Sequence, residues 1–181
     1  MELGEKTLSS RELFKGRIIK VREDRVLLPD GTESTREIVE HAGAVAIVAI
    51  DDEDNVWMVR QYRKPLEEVL LEIPAGTLEE NEDPLLCAQR ELAEETGLRA
   101  KNWQRILAYY SAPGFCNEKL HLFMASQLSE GESNLDHDEF LEPVRVPLRE
   151  AYDLIFAGQI KDGKSIIGIQ YAFWGKMGGQ Y

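Results

Sequence analysis

The stretch Ala44–Ile50, AVAIVAI, is the longest uninterrupted apolar run in the chain. It falls far short of the roughly 20 residues needed to cross a bilayer. It therefore reads as a buried strand around which the chain must build a core. With 181 residues there is enough chain for one globular domain with a sizeable interior. The hydrophobic fraction of 43% and charged fraction of 30% fit a soluble domain rather than a membrane or disordered one.

The rest of the pattern mixes strands and helices. Residues 16–28, GRIIKVREDRVLL, are strand-like, Pro29-Asp30-Gly31-Thr32 is a turn signal, and Arg36–Glu40 resumes the strand. Ala44–Ile50 and Val56–Gln61 make a second hairpin around Asp51-Asp52-Glu53-Asp54-Asn55. That acidic turn is not a calcium loop, because Val56 stands where an EF-hand requires glycine and no helix pattern flanks it. Val69–Ile73 is a short strand that ends at Pro74-Ala75-Gly76. Further strands are expected near 103–110, 120–125 and 144–146, with helices near 148–157 and 165–174. Neither repeats nor a low-complexity linker divide the chain, so the expectation is a mixed α/β (α+β) layered domain over residues 1–181.

Charge narrows the function. A formal net charge of −12 argues against binding nucleic acid through its phosphates. An acidic protein that handles phosphate must borrow positive charge from a few placed arginines or from metal ions. The two cysteines, Cys87 and Cys116, are too few for a disulfide scaffold or a zinc site and read as reduced packing residues. The opening MELGEKTLSS lacks the basic start and apolar stretch of a secretory signal, which points to the cytoplasm and to no membrane partner.

One helix breaks the local rules. It is expected over 84–96, with Asp83 as its cap, Pro84 in its first turn and Gly97 at its stop. Leu85, Ala88 and Leu92 form its core stripe. Glu91, Glu94 and Glu95 share another arc, where like charges at these spacings repel by a few tenths of a kcal/mol per pair. Glu94 and Glu95 also lie in the last turn, where the helix dipole disfavours negative charge. Only Arg90 is placed to soften the cluster, through an i to i+4 contact with Glu94. Crowded carboxylates are what hard cations such as Mg²⁺ or Mn²⁺ require, since those ions prefer oxygen ligands.

From Gly76 to Leu98 the chain reads GTLEENEDPLLCAQRELAEETGL. This resembles the Nudix box, with Gly76, Glu82, Arg90, Glu91, Leu92, Glu94, Glu95, Gly97 and Leu98 at its specified positions. The resemblance implies a Nudix-type α/β/α sandwich with a mixed sheet, preceded by an antiparallel β-meander in residues 1–40. It also implies roles. Glu91 and Glu95 match the principal metal ligands, and Glu94 matches a further ligand or water-orienting carboxylate. Glu82 matches the upstream acid, Arg90 the arginine that holds a box glutamate, and the carbonyl of Ala75 often joins the metal shell.

Beyond the box the chain resembles the ADP-ribose pyrophosphatases in REIVEHAGAVAIVAI, VRQYR, LEIPAG and SAPGF. Pro113, 15 residues past Leu98, matches this subgroup's proline marker. Arg36 and Arg63 are candidate phosphate-gripping arginines, since a guanidinium binds phosphate in bidentate fashion. Phe14 is a candidate for stacking on the base. The resemblance further implies a carboxylate on the later loop, LDHDEF, with Glu139 the first choice and Asp138 the second, and a homodimer. Hydrolysis of ADP-ribose is the leading expectation. GDP-mannose, FAD or NADH remain open as substrates. A domain that only senses a nucleotide would be expected to have lost box acids, and here all three glutamates remain.

Overall fold

The computed structural model describes residues 3–131 and 140–178. Two compact units are distinguished, one made of Met1–Gly43 with Tyr109–Lys119, the other of Ala44–Ala108 with Leu120–Tyr181.

In the first unit a three-stranded antiparallel meander forms from β1 (Lys6–Lys15), β2 (Ile19–Leu27) and β3 (Glu33–His41), in that order. The turn between β2 and β3 is the expected one. Asp30 accepts hydrogen bonds from the amide and hydroxyl of Thr32 at 2.9 and 2.7 Å, and Gly31 takes a φ of 85°. All ten residues of β1 are exposed, so its sequence carries no two-sided alternation to announce it. The segment after Tyr110 lies along β3: Val39 donates to the Phe115 carbonyl at 2.7 Å, and Asn117 donates back to the Val39 carbonyl at 3.1 Å.

The second unit is a layered sandwich. Its strands are β4 (Ala44–Ile50), β5 (Asn55–Arg63), β6 (Glu68–Glu72), β7 (Ala75–Thr77), β8 (Leu98–Tyr110), β9 (Lys119–Glu130) and β10 (Leu141–Pro147). The order is β10-β5-β4-β9-β8, with β6 on β5 and β7 on β4. β4 and β9 run parallel and β4–β5 antiparallel, which makes the sheet mixed. Every residue of β4 is buried, because both faces of the sheet are covered. On one face Val45, Ile47 and Ala49 meet Cys87, Ala88 and Leu92 of helix α1 (Pro84–Thr96). On the other, α3 (Gly163–Lys176) brings Gly168 so close that a Cβ there would stand 2.6 Å from Val48 and 3.1 Å from Ile73. Helix α2 (Leu148–Phe156) packs on α3 through Tyr152, stacked on Phe173 at 4.0 Å. Among the described residues no helix is long and apolar enough to cross a membrane.

α1 begins and ends where the sequence places it. The Asp83 side chain accepts the amides of Leu85 and Leu86 at 2.9 and 3.3 Å. Gly97 closes the helix at φ 70°, its amide donating to the Ala93 carbonyl at 2.9 Å. A left-handed residue at that position satisfies carbonyls the helix would otherwise leave unpaired. Leu85 is half-buried and packs against the core formed by Ala88 and Leu92, which Cys87 joins.

Candidate functional site

The acids of α1 are not on a solvated face. Glu91 and Glu95 are buried, at 8% and 3% exposure, which is unusual for carboxylates and requires partners. Arg90 is the hub. Its Nη1 donates to Glu91 at 2.7 Å and to Glu94 at 2.9 Å, and its Nε and Nη2 both reach the Glu82 carboxylate at 3.1 Å. The expected i to i+4 contact is thus one of five bonds from a single guanidinium, the fifth reaching the Cys87 sulfur at 3.3 Å. Hydrogen bonds from Arg90 hold the Glu82 carboxyl down at about 2, and the same bonds push the arginine's own pKa above its ordinary value. Burial and the neighbouring Glu82 push the Cys87 thiol up to about 12, which makes it an inert packing group, as expected.

The strand segment before the helix joins the same cluster. The Ala75 amide donates to Glu95 at 3.0 Å. Gly76 leaves room for the Glu91 carboxylate: a Cβ there would lie 1.8 Å from its carboxyl carbon and would displace it. Glu82, Arg90, Glu91, Glu94, Glu95 and Ala75 are therefore brought together within the second unit. The donor set suits a hard divalent cation, being four carboxylates and a backbone carbonyl. Among the described residues no three acidic, histidine or cysteine side chains form a ready-made cage, and Arg90 pairs with three of the glutamates.

The candidate substrate residues separate into two groups. In the first unit, Arg36 and Pro113 line one groove of about 480 Å³, with Arg22, Tyr110, Phe115 and Asn117. Arg36 is paired with Glu5 and also donates to the Ser34 hydroxyl at 3.1 Å and the Thr35 carbonyl at 2.9 Å. Phe14 does not line this groove; it is 55% exposed on β1, its ring over Gly16. In the second unit, Arg63 grips Glu72 in bidentate fashion, Nε and Nη2 at 2.8 and 2.7 Å. Glu139 and Asp138, the first and second candidates on the later loop, lie outside the described residues. His41 and His121 sit on β3 and β9, the first accepting the Gly43 amide at 3.0 Å and the second 3.4 Å from Arg105.

Sequence reasoning missed Glu72 and Lys164, and with them the partner of Arg63. Glu72 is 1% exposed and is shared by Arg63 and Lys164. Burial opposes its ionisation most strongly, yet bonds from these two cations still hold its carboxyl below the ordinary range. The available signal was an acid inside the apolar run VLLEI, where a buried strand should have none.

Comparison with known proteins agrees with this geometry. Residues 40–166 match the family model described as the NUDIX domain, and residues 5–39 match the nucleoside diphosphate sugar hydrolase N-terminal domain. The chain is similar to an ADP-ribose pyrophosphatase of Bacillus subtilis (strain 168), 46% identical over 93% of this chain and 92% of that one. It is equally similar to a methanol dehydrogenase activator of Bacillus methanolicus, 46% identical over 92% and 91% of the two chains. A solved structure described as an ADP compounds hydrolase superposes over 100% of both chains with a TM-score of 0.86; at 24% identity it speaks to the fold alone.

Proposed function

The chain belongs to the Nudix family, and on that premise we propose that it is a metal-dependent pyrophosphohydrolase that cleaves ADP-ribose to AMP and ribose 5-phosphate. The observation that carries this reading is the buried acid cluster, in which one arginine gathers Glu82, Glu91 and Glu94 while Glu95 is tied to the Ala75 amide.

In this reading Glu91 and Glu95 hold the cation, Mg²⁺ or Mn²⁺, with Glu94, Glu82 and the Ala75 carbonyl completing the oxygen donors. Once bound, the cation supplies the positive charge that polarises the diphosphate and offsets the charge that builds during attack. Arg90 is a positioning residue: it fixes the rotamers of three glutamates whose mutual repulsion would otherwise splay them. Arg36 and Pro113 serve the nucleotide, and Arg63 offers a cationic edge to a phosphate. Phe14 is the proposed stacking residue. Glu139 is the proposed base that takes a proton from the attacking water, whose oxygen bonds to phosphorus as the bridging P–O bond breaks. A cytoplasmic homodimer belongs to the same proposal.

The test is a kcat/KM comparison with Mg²⁺ across ADP-ribose, GDP-mannose, FAD and NADH, with products identified by chromatography. The expected result is AMP and ribose 5-phosphate from ADP-ribose, at a kcat/KM at least tenfold above the others. A higher kcat/KM for GDP-mannose would overturn the substrate assignment, and turnover of none would overturn the enzyme assignment.

A further inference from the structure

A buried relay behind the acid cluster has no part in the roles assigned so far. Asp162 caps α3, its Oδ2 accepting the Ser165 amide at 3.0 Å and the Ser165 hydroxyl proton at 2.5 Å. The Ser165 oxygen in turn accepts the Ile73 amide at 2.8 Å, across 92 residues of sequence. Ser165 is 0% exposed. Lys164 bridges Asp162, at 3.0 Å, to Glu72, the residue just before Ile73. Next along the chain, the Pro74 carbonyl accepts the Ile47 amide at 2.8 Å, and the Ala75 amide donates to Glu95 at 3.0 Å.

Residues 72–75 are thus held one after another, by α3 on one face of the sheet, by β4 within it and by α1 on the other face. Buried backbone needs partners, and here consecutive residues take them from α3, β4 and α1. Two of the proposed oxygen donors hang on this backbone: the Ala75 carbonyl directly, and Glu95 through the bond from the Ala75 amide.

We infer that Ser165 is a positioning residue for the cation, fixing through the Ile73 amide the backbone that presents the Ala75 carbonyl and orients Glu95. The inference rests on the metal-site reading above. Partners that orient metal ligands typically set affinity by about 10–100-fold when removed. Ser165 acts through backbone rather than by touching a ligand, so about tenfold is the expected effect.

The experiment measures Mn²⁺ binding to the full chain, without nucleotide, by electron paramagnetic resonance. Wild type, Glu95→Gln, Ser165→Ala, Ser165→Cys and Ile169→Val are compared below their melting temperatures. Ile169 is a fully buried core residue of the same helix and controls for lost stability. The expected result is strong binding by wild type and loss in Glu95→Gln. Ser165→Ala should bind about tenfold more weakly, Ser165→Cys should fall between, and Ile169→Val should match wild type. Should Ser165→Ala fail to fold, Ser165→Cys decides alone. Wild-type affinity in the Ser165 variants, or equal weakening in Ile169→Val, overturns the inference while leaving the metal site standing. No binding by wild type, or full binding by Glu95→Gln, overturns the metal-site reading and the inference with it.

Discussion

Gly76→Ala separates stability from catalysis at a single methyl group. The added Cβ would stand 1.8 Å from the carboxyl carbon of Glu91 and 1.9 and 2.3 Å from its oxygens. Ordinary carbon contacts begin near about 3.5 Å, so the carboxylate must retreat by roughly 1.5 Å. A flexible side chain can do that, but only by giving up the 2.7 Å bond from Arg90. Losing one charge-assisted bond costs about 1.5–3 kcal/mol. Gly76 is not in the left-handed region, so alanine recovers about 0.4–1 kcal/mol by restricting the unfolded chain. The net loss of about 0.5–2.6 kcal/mol should lower Tm by about 1–10 °C. Catalysis should suffer far more, because a misplacement of about 1 Å in an active site can cost about a hundredfold. The assay pairs thermal unfolding with steady-state turnover of ADP-ribose over a Mg²⁺ titration. Turnover within threefold of wild type would refute the claim that the position of Glu91 matters to the chemistry.

Three further substitutions probe other parts of the account. Gly168→Ala should destabilise by about 1–3 kcal/mol through overpacking against Val48 and Ile73, despite its better helix propensity, and a thermal melt reads the loss. Arg63→Ala removes the bidentate partner of Glu72 but leaves Lys164. Discounted for the partly exposed guanidinium, the loss should be about 2 kcal/mol at neutral pH, measured by urea unfolding. Because the folded Glu72 carboxyl lies below its ordinary value of 4.5, its stabilisation is complete above that pH and fades as pH falls through the lower folded value. The gap between wild type and Arg63→Ala should therefore close in acid, and a gap that widens there would contradict the pairing. Arg36→Ala should raise the KM for ADP-ribose about tenfold with little change in kcat, the signature of a lost ground-state contact; an unchanged KM would remove Arg36 from the site.

Local signals were legible in the sequence where they were complete. Asp83, Pro84 and Gly97 fixed both ends of α1 because capping depends on adjacent residues. The mixed α/β layering followed from strand and helix patterns along the chain and the sandwich from the resemblance to the Nudix box, and β4 is indeed buried along its whole length. β1 was not drawn as a strand of its own, since a fully exposed edge strand has no buried face to pattern. β8 begins at Leu98, directly after the helix, rather than near Trp103. The crowding of Glu91, Glu94 and Glu95 was visible, as was the Arg90 contact to Glu94. The bonds from Arg90 to Glu82 and Glu91 follow from how the loop folds back. The Glu72, Lys164 and Ser165 relay was hidden because its partners meet only after α3 has packed on the sheet.

The most direct test of the central claim is ³¹P NMR of ADP-ribose incubated with the full chain. With Mg²⁺ the two diphosphate resonances should give way to two phosphomonoester resonances, those of AMP and ribose 5-phosphate. With EDTA, or with Glu95→Gln, the diphosphate signals should persist. Equal conversion in EDTA, or by Glu95→Gln, would contradict the account, since the buried carboxylates would then not be holding the cation that drives the cleavage.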